Sequence, residues 1–121
     1  MPSTPRPGNR VRGSTTGRPL MAALDLFGRR WTLRILWELR DQPLGFRTLQ
    51  QRCDGMSSSV LRQRLVELSE ARLVERDLND GYGLTALGEE VIDALSGLHS
   101  WSERWAAEFD ASTTDPPEQT E

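Results

Sequence analysis

A mainly α-helical chain with one small β-hairpin is what the sequence predicts, and three observations carry that prediction. From Phe46 to Ala71, two apolar stripes of helical spacing flank a break at Asp54-Gly55-Met56. Phe46, Leu49 and Cys53 make the first stripe, and Leu61, Leu65 and Leu68 make the second. Further on, Asn79-Asp80-Gly81 is a turn signal between the extended stretches Leu73-Val74-Glu75-Arg76-Asp77-Leu78 and Tyr82-Gly83-Leu84. Helical spacing of apolar residues then accounts for most of what is left between Pro19 and Phe109. Two helices across a tight turn, followed by a hairpin, form a winged helix-turn-helix, here with an additional C-terminal helix for dimerisation.

Residues 1–17 are rich in Pro, Gly, Ser and Thr and nearly free of apolar side chains, so they read as a disordered tail. Arg6, Arg10 and Arg12 make that tail basic, which suits either a DNA-touching arm or simple solubility. The folded domain is expected over residues 18–110. Pro19 begins a first helix, where its missing N–H does no harm, and Gly28 stops it. Leu20, Ala23, Leu24 and Phe27 would line its buried face. A second helix buries Trp31, Ile35, Leu36 and Leu39 and ends near Pro43, with Arg34 and Arg40 off the stripe. The helix-turn-helix follows, its second helix capped by Ser57. After the hairpin, Thr85 caps a helix carrying Leu87, Val91 and Leu95. Gly97 is expected to interrupt it before a last helix bearing Leu98, Trp101, Trp105 and Phe109. Residues 111–121 read as a disordered acidic tail.

Net charge is −3, yet its distribution is lopsided. Residues 1–64 hold 12 Arg against 4 acids, and residues 65–121 hold 3 Arg against 14 acids. Such asymmetry hints at a nucleic-acid face. All fifteen basic residues are Arg, which codon composition also explains. No apolar run is long enough for a membrane span and no signal-peptide pattern is present, so a cytoplasmic protein without membrane contact is expected. One cysteine and one histidine make neither a disulfide framework nor a metal site, and no cofactor is expected. With no nucleophile set and no phosphate-cradling glycine loop, the chain is not expected to be an enzyme.

Several stretches together resemble one family. They are Trp31-Thr32, Phe46 with Leu49, Gly55-Met56-Ser57, Val60-Leu61 with Gln63-Arg64-Leu65, Leu73-Val74-Glu75-Arg76, and Leu84-Thr85 with Leu87-Gly88. Their order and spacing, across roughly residues 19 to 105, are similar to the HxlR family of bacterial winged helix-turn-helix transcriptional regulators. The resemblance implies a homodimer on double-stranded, pseudo-palindromic operator DNA, repressing or activating nearby genes. It also implies a recognition helix in the major groove and a dimer made by the outer helices. Arg18 stands where many members carry a sensing cysteine, so thiol sensing through that position is lost. Gly45 and Ser59 stand where basic residues are common, with Arg47 beside the first. The short wing carries Asp77, Asn79 and Asp80, and its acids would be repelled by phosphates.

Within this frame Arg62 and Gln63 are the expected base readers, since Arg pairs bidentately with guanine and Gln with adenine. Ser57, Ser58 and Ser59 sit where a helix start can grip a phosphate, although Ser57 also serves as the cap. Arg64 matches the family's common arginine and is expected on a phosphate, with Arg47, Thr48 and Gln51 as further backbone contacts. Leu20, Leu24, Leu98, Trp101, Trp105 and Phe109 are the expected dimer contacts: the resemblance puts the dimer on the outer helices, and a small domain has limited core to receive a last helix whose Trp101, Trp105 and Phe109 would otherwise cover their own domain. A small-molecule effector would fit a cavity between core and dimer helices. Cys53 continues an apolar stripe and is expected to be a small buried hydrophobe, and His99 a surface residue. A competing reading makes the chain a winged-helix module for protein–protein contact without DNA binding, which the acidic wing and net negative charge favour. Salt-dependent DNA binding separates the two.

Overall fold

The computed structural model describes residues 4–114. Helices α1 (Pro19–Phe27), α2 (Thr32–Glu38), α3 (Phe46–Arg52) and α4 (Ser58–Glu70) come first. Strands β1 (Val74–Arg76) and β2 (Tyr82–Leu84) and helix α5 (Ala86–Thr114) follow. The chain divides into two compact units, Met1–Glu89 and Glu90–Glu121.

The core of the first unit is built from the stripes that the spacing picks out. Ile35, Leu36 and Leu39 meet Leu49 and Cys53 of the α3 region and Leu61, Leu65 and Leu68 of α4, all fully or almost fully buried. Burying a Leu or Ile side chain contributes about 1.5–3 kcal/mol each, so these positions hold the helix faces in place. The face of α1 differs from expectation. Ala22 and Leu26 are buried, while Leu20 and Leu24 are 69% and 55% exposed. In PLMAALDLF only Asp25 is charged, so apolar residues lie on nearly every side and their period selects no face. Trp31, expected in the buried stripe of α2, is half-buried. It precedes that helix with φ of 78°, a left-handed conformation that costs a bulky residue energy.

β1 and β2 pair antiparallel, with Val74 opposite Leu84, Glu75 opposite Gly83 and Arg76 opposite Tyr82. Leu44 and Tyr82 exchange backbone hydrogen bonds of 2.9 and 2.8 Å, which ties the α2–α3 loop to the hairpin. Asp77 closes the tip by accepting from the N–H groups of Asn79 and Gly81. Asp80 is paired with Arg76 at 2.7 Å. Both wing acids therefore have internal partners.

Thr85 caps α5 as expected: its Oγ1 accepts from Gly88 N–H at 3.0 Å and donates to the Arg72 carbonyl at 2.8 Å. That double tie brings the start of α5 hard against Leu73. A Cβ on Gly88 would lie 2.2 Å from the Leu73 carbonyl oxygen, a backbone atom with no rotamer to yield. Gly88→Ala should therefore lower stability by about 1–3 kcal/mol, the usual cost of overpacking. An unchanged urea midpoint would show that this helix start can move away.

In the second unit, the expected break at Gly97 is absent and α5 runs on to Thr114. One Gly costs a helix about 1 kcal/mol relative to Ala, too little to interrupt a helix of 29 residues. Ser96 does not cap a new helix there, because its hydroxyl donates back to the Asp93 carbonyl at 2.7 Å. The expected acidic tail is likewise helical over 111–114, and its remainder lies outside the described residues. His99 is exposed and stands 3.7 Å from Glu103. At the other end, residues 4–17, expected to be a disordered tail, fold back through paired turns. Gly8 N–H donates to the Gly17 carbonyl, and Val11 and Ser14 exchange backbone hydrogen bonds. The Arg12 N–H donates to Asp25 of α1. Backbone pairing of this kind needs no apolar residues, which is why composition alone did not reveal it.

Candidate nucleic-acid interface

The turn between α3 and α4 is tight because Asp54 and Gly55 both take positive φ, 59° and 67°. Gln50 braces it from both sides. Its carbonyl accepts from Gly55 N–H at 3.0 Å, and its side-chain amide donates to the Met56 carbonyl at 2.8 Å. Arg34 of α2 reaches in from outside, donating to the Arg52 carbonyl and to Asp54 while pairing with Glu38 at 2.9 Å. The bond to Glu38 raises the Arg34 pKa. A turn fixed at this many points delivers α4 at one angle.

Ser57 caps α4 by accepting from Val60 N–H at 3.4 Å, and its hydroxyl lies 3.0 Å from that of Ser59. Ser57, Ser58 and Ser59 are all exposed at this helix start. With Leu61, Leu65 and Leu68 locked inward, Arg62 and Gln63 are left exposed on the outer face. The Arg62 guanidinium lies 5.1 Å from the centre of the Phe46 ring, a cation–π contact that joins the two motif helices. Arg47, Thr48 and Gln51 are exposed on α3. Val66, one turn beyond Arg62, is a 52% exposed apolar residue that the sequence reading passed over.

Arg64 needs a correction. It was expected on a phosphate, but its side chain is only 16% exposed and is spent within the molecule. Nε donates to the Arg30 carbonyl at 2.8 Å, and Nη1 reaches Glu67 at 3.2 Å. Glu67 is the residue that sequence reasoning missed altogether. It is 7% exposed and accepts from Arg29 at 2.8 Å, from Arg64, and from Gln63 at 3.4 Å. A buried carboxylate is tolerable only when so compensated, and here the compensation pins α4 to the α1–α2 loop. The signal was present: Glu67 lies four residues after Gln63 and three after Arg64, the spacings at which side chains on one helix meet.

Cys53 is fully buried, and burial pushes its thiol pKa up against the opposing pull of Arg34. Of the expected dimer contacts, Leu20 and Leu24 on α1 are exposed, as are Leu98, Trp101, Trp105 and Phe109 on α5. Trp101 and Trp105 stack at 5.3 Å and 14°, and Trp105 meets Phe109 edge-on at 5.8 Å and 89°. Among the described residues no cluster of three or more metal-ligating side chains occurs, and no helix is long and apolar enough to cross a membrane.

The HxlR-like helix-turn-helix family model matches residues 26–110. The HTH-type transcriptional regulator YodB of Bacillus subtilis is 26% identical over 99 residues, covering 77% of this chain and 88% of YodB. MJ0925 of Methanocaldococcus jannaschii, an uncharacterized HTH-type transcriptional regulator, is 26% identical over 89 residues, 70% of this chain and 83% of its own length. Among solved structures, quinone-bound YodB superposes with a TM-score of 0.65 at 28% identity, covering 70% of this chain and 94% of that one. A protein from Thermoplasma volcanium, described as a possible HxlR family transcriptional factor, gives a TM-score of 0.62 at 27% identity. That match covers 70% of this chain and 82% of the other.

Proposed function

Because the chain belongs to the HxlR-like helix-turn-helix family and is a DNA-binding transcriptional regulator, we propose that it acts as a cytoplasmic homodimer on a pseudo-palindromic operator, repressing or activating nearby genes. In this reading α4 enters the major groove and Arg62 and Gln63 read base edges. Ser57, Ser58, Ser59, Arg47, Thr48 and Gln51 grip the phosphates on either side. Val66 is placed to meet a thymine methyl. Arg64 holds the helix rather than the DNA. The observation that carries the reading is the contrast on α4, with Leu61, Leu65, Leu68 and Glu67 fixed inward and Arg62 and Gln63 held outward. Exposure of the aromatic row on α5 supports the dimer.

Selection of genomic fragments by the purified protein, followed by titration at several salt concentrations, tests this function. Affinity should fall with a log–log slope of about −0.9 per phosphate contacted. Absence of salt-dependent binding to any DNA would favour the protein-contact module instead.

YodB has been solved with a quinone bound, which supports a small-molecule effector for this chain too. A thiol route is not expected here, since the single cysteine is fully buried, away from oxidants and from the thiol of a second protomer. Mild peroxide should leave DNA affinity unchanged, in wild type as in Cys53→Ala. A peroxide-induced loss that Cys53→Ala abolishes would show that oxidants do reach this thiol.

A further inference from the structure

The folded N-terminal segment makes a cleft that DNA reading does not use. It has a volume of about 1130 Å³ and lies between residues 10–18 and α1. Arg10, Arg12, Arg18 and Arg29 line it, against Asp25 as the one lining carboxylate. Among the described residues the guanidinium groups of Arg10, Arg12 and Arg18 enter no ion pair. Ser14, Thr15 and Thr16 add hydroxyls, and Ser14 fixes the wall by accepting from the N–H groups of Gly17 and Arg18, each at 3.1 Å. Met21 and Val11 supply apolar lining. Four guanidinium forks with hydroxyls and a small apolar patch suit a compact, multiply charged phosphate, because charge-assisted pairs to phosphate are short and strong. The volume lies just above the upper end of the range usual for small-molecule sites.

This cleft is wired to α4. Arg29 lines it and at the same time donates to the buried Glu67. The segment that forms its wall makes a second tie, through Thr4 to Glu70 at the end of α4. We propose that the cleft binds a small phosphorylated anion, which draws Arg29 away from Glu67 and thereby weakens DNA binding by loosening α4. The regulatory half rests on the proposed recognition role of α4, whereas the binding half does not.

Calorimetry without DNA tests the site first, with inorganic pyrophosphate as the probe and sodium chloride of equal ionic strength as the control. Wild type should bind pyrophosphate. Arg12→Gln with Arg18→Gln, both exposed positions, should weaken binding by about tenfold or more. Asp25→Asn, which removes the opposing charge and keeps an acceptor for Arg12 N–H, should tighten it. The second arm measures DNA affinity. Pyrophosphate should lower it by about tenfold beyond the chloride control in wild type, with no excess loss in the double variant. Absence of pyrophosphate binding, or equal binding by the double variant, would overturn the site. Binding with no effect on DNA affinity would overturn the coupling. If the double variant loses DNA affinity without pyrophosphate present, the cleft is a contact for the DNA backbone and the proposal fails.

Discussion

Trp101→Ala combined with Trp105→Ala should convert the proposed dimer to monomer at micromolar concentration and abolish operator binding. The two rings lie one helical turn apart on α5 and stack on each other, and Phe109 continues the row edge-on. Contacts along one helix leave much of each ring bare. Trp101, Trp105 and Phe109 remain 46%, 54% and 61% exposed, a concentration of apolar surface that water solvates poorly. Aromatic anchors of this kind dominate interfaces once fully desolvated, at about 2 kcal/mol or more each. Losing two would weaken a dimer by about a thousandfold. Operator binding should fall with it, since a lone half-site engages half the contacts. Sedimentation equilibrium of wild type and variant makes the comparison, with circular dichroism to confirm that the variant stays helical. A wild type that is monomeric at micromolar concentration would remove the basis for this prediction.

The parts of the fold that were legible in the sequence are those where one physical term dominates. On α3 and α4 the leucines recur on a single face and a Gly-containing turn separates them, so burial and chain reversal point the same way. The hairpin was legible for a similar reason: Asn79-Asp80-Gly81 leaves the chain little choice but to turn, and the observed register brings Arg76 opposite Tyr82. The face of α1 was not legible, because its apolar residues are too many to choose among. Gly97 misled in the other direction, since a local preference of about 1 kcal/mol is outweighed by continuing the helix on both sides. The candidate site shows the same division. Arg62 and Gln63 lie well away from the leucine stripe and are exposed. Arg64, three residues after Leu61 and four before Leu68, lies at the margin of that stripe. Helical geometry alone could have assigned it to the interior. The partners that hold it there, Glu67 and the Arg30 carbonyl, depend on how the α1–α2 loop meets α4. That is a tertiary fact which no local pattern encodes.

This division of labour on α4 has a measurable consequence. Arg62→Ala or Gln63→Ala should each cost about 1–3 kcal/mol at one operator position and relax the preference there, leaving binding to random DNA little changed. Each side chain also has an internal contact, Arg62 with the Phe46 ring and Gln63 with Glu67, so urea denaturation of both variants should accompany the titrations. Arg64→Ala should behave differently. It leaves the buried Glu67 with Arg29 and Gln63 as partners and frees the Arg30 carbonyl, which should lower folding stability by about 1–3 kcal/mol. Its DNA affinity should fall for every sequence alike, because the whole helix is less firmly placed. Its salt slope should equal that of wild type, since no phosphate contact is lost. An arginine bound to a phosphate would instead reduce that slope by about one unit and leave the urea midpoint unchanged. Titrations against the operator, its single-base mutants and random DNA at several salt concentrations, paired with urea denaturation, therefore separate the two roles of Arg64. If Arg62→Ala and Gln63→Ala leave every affinity untouched, α4 is not the helix that reads the groove.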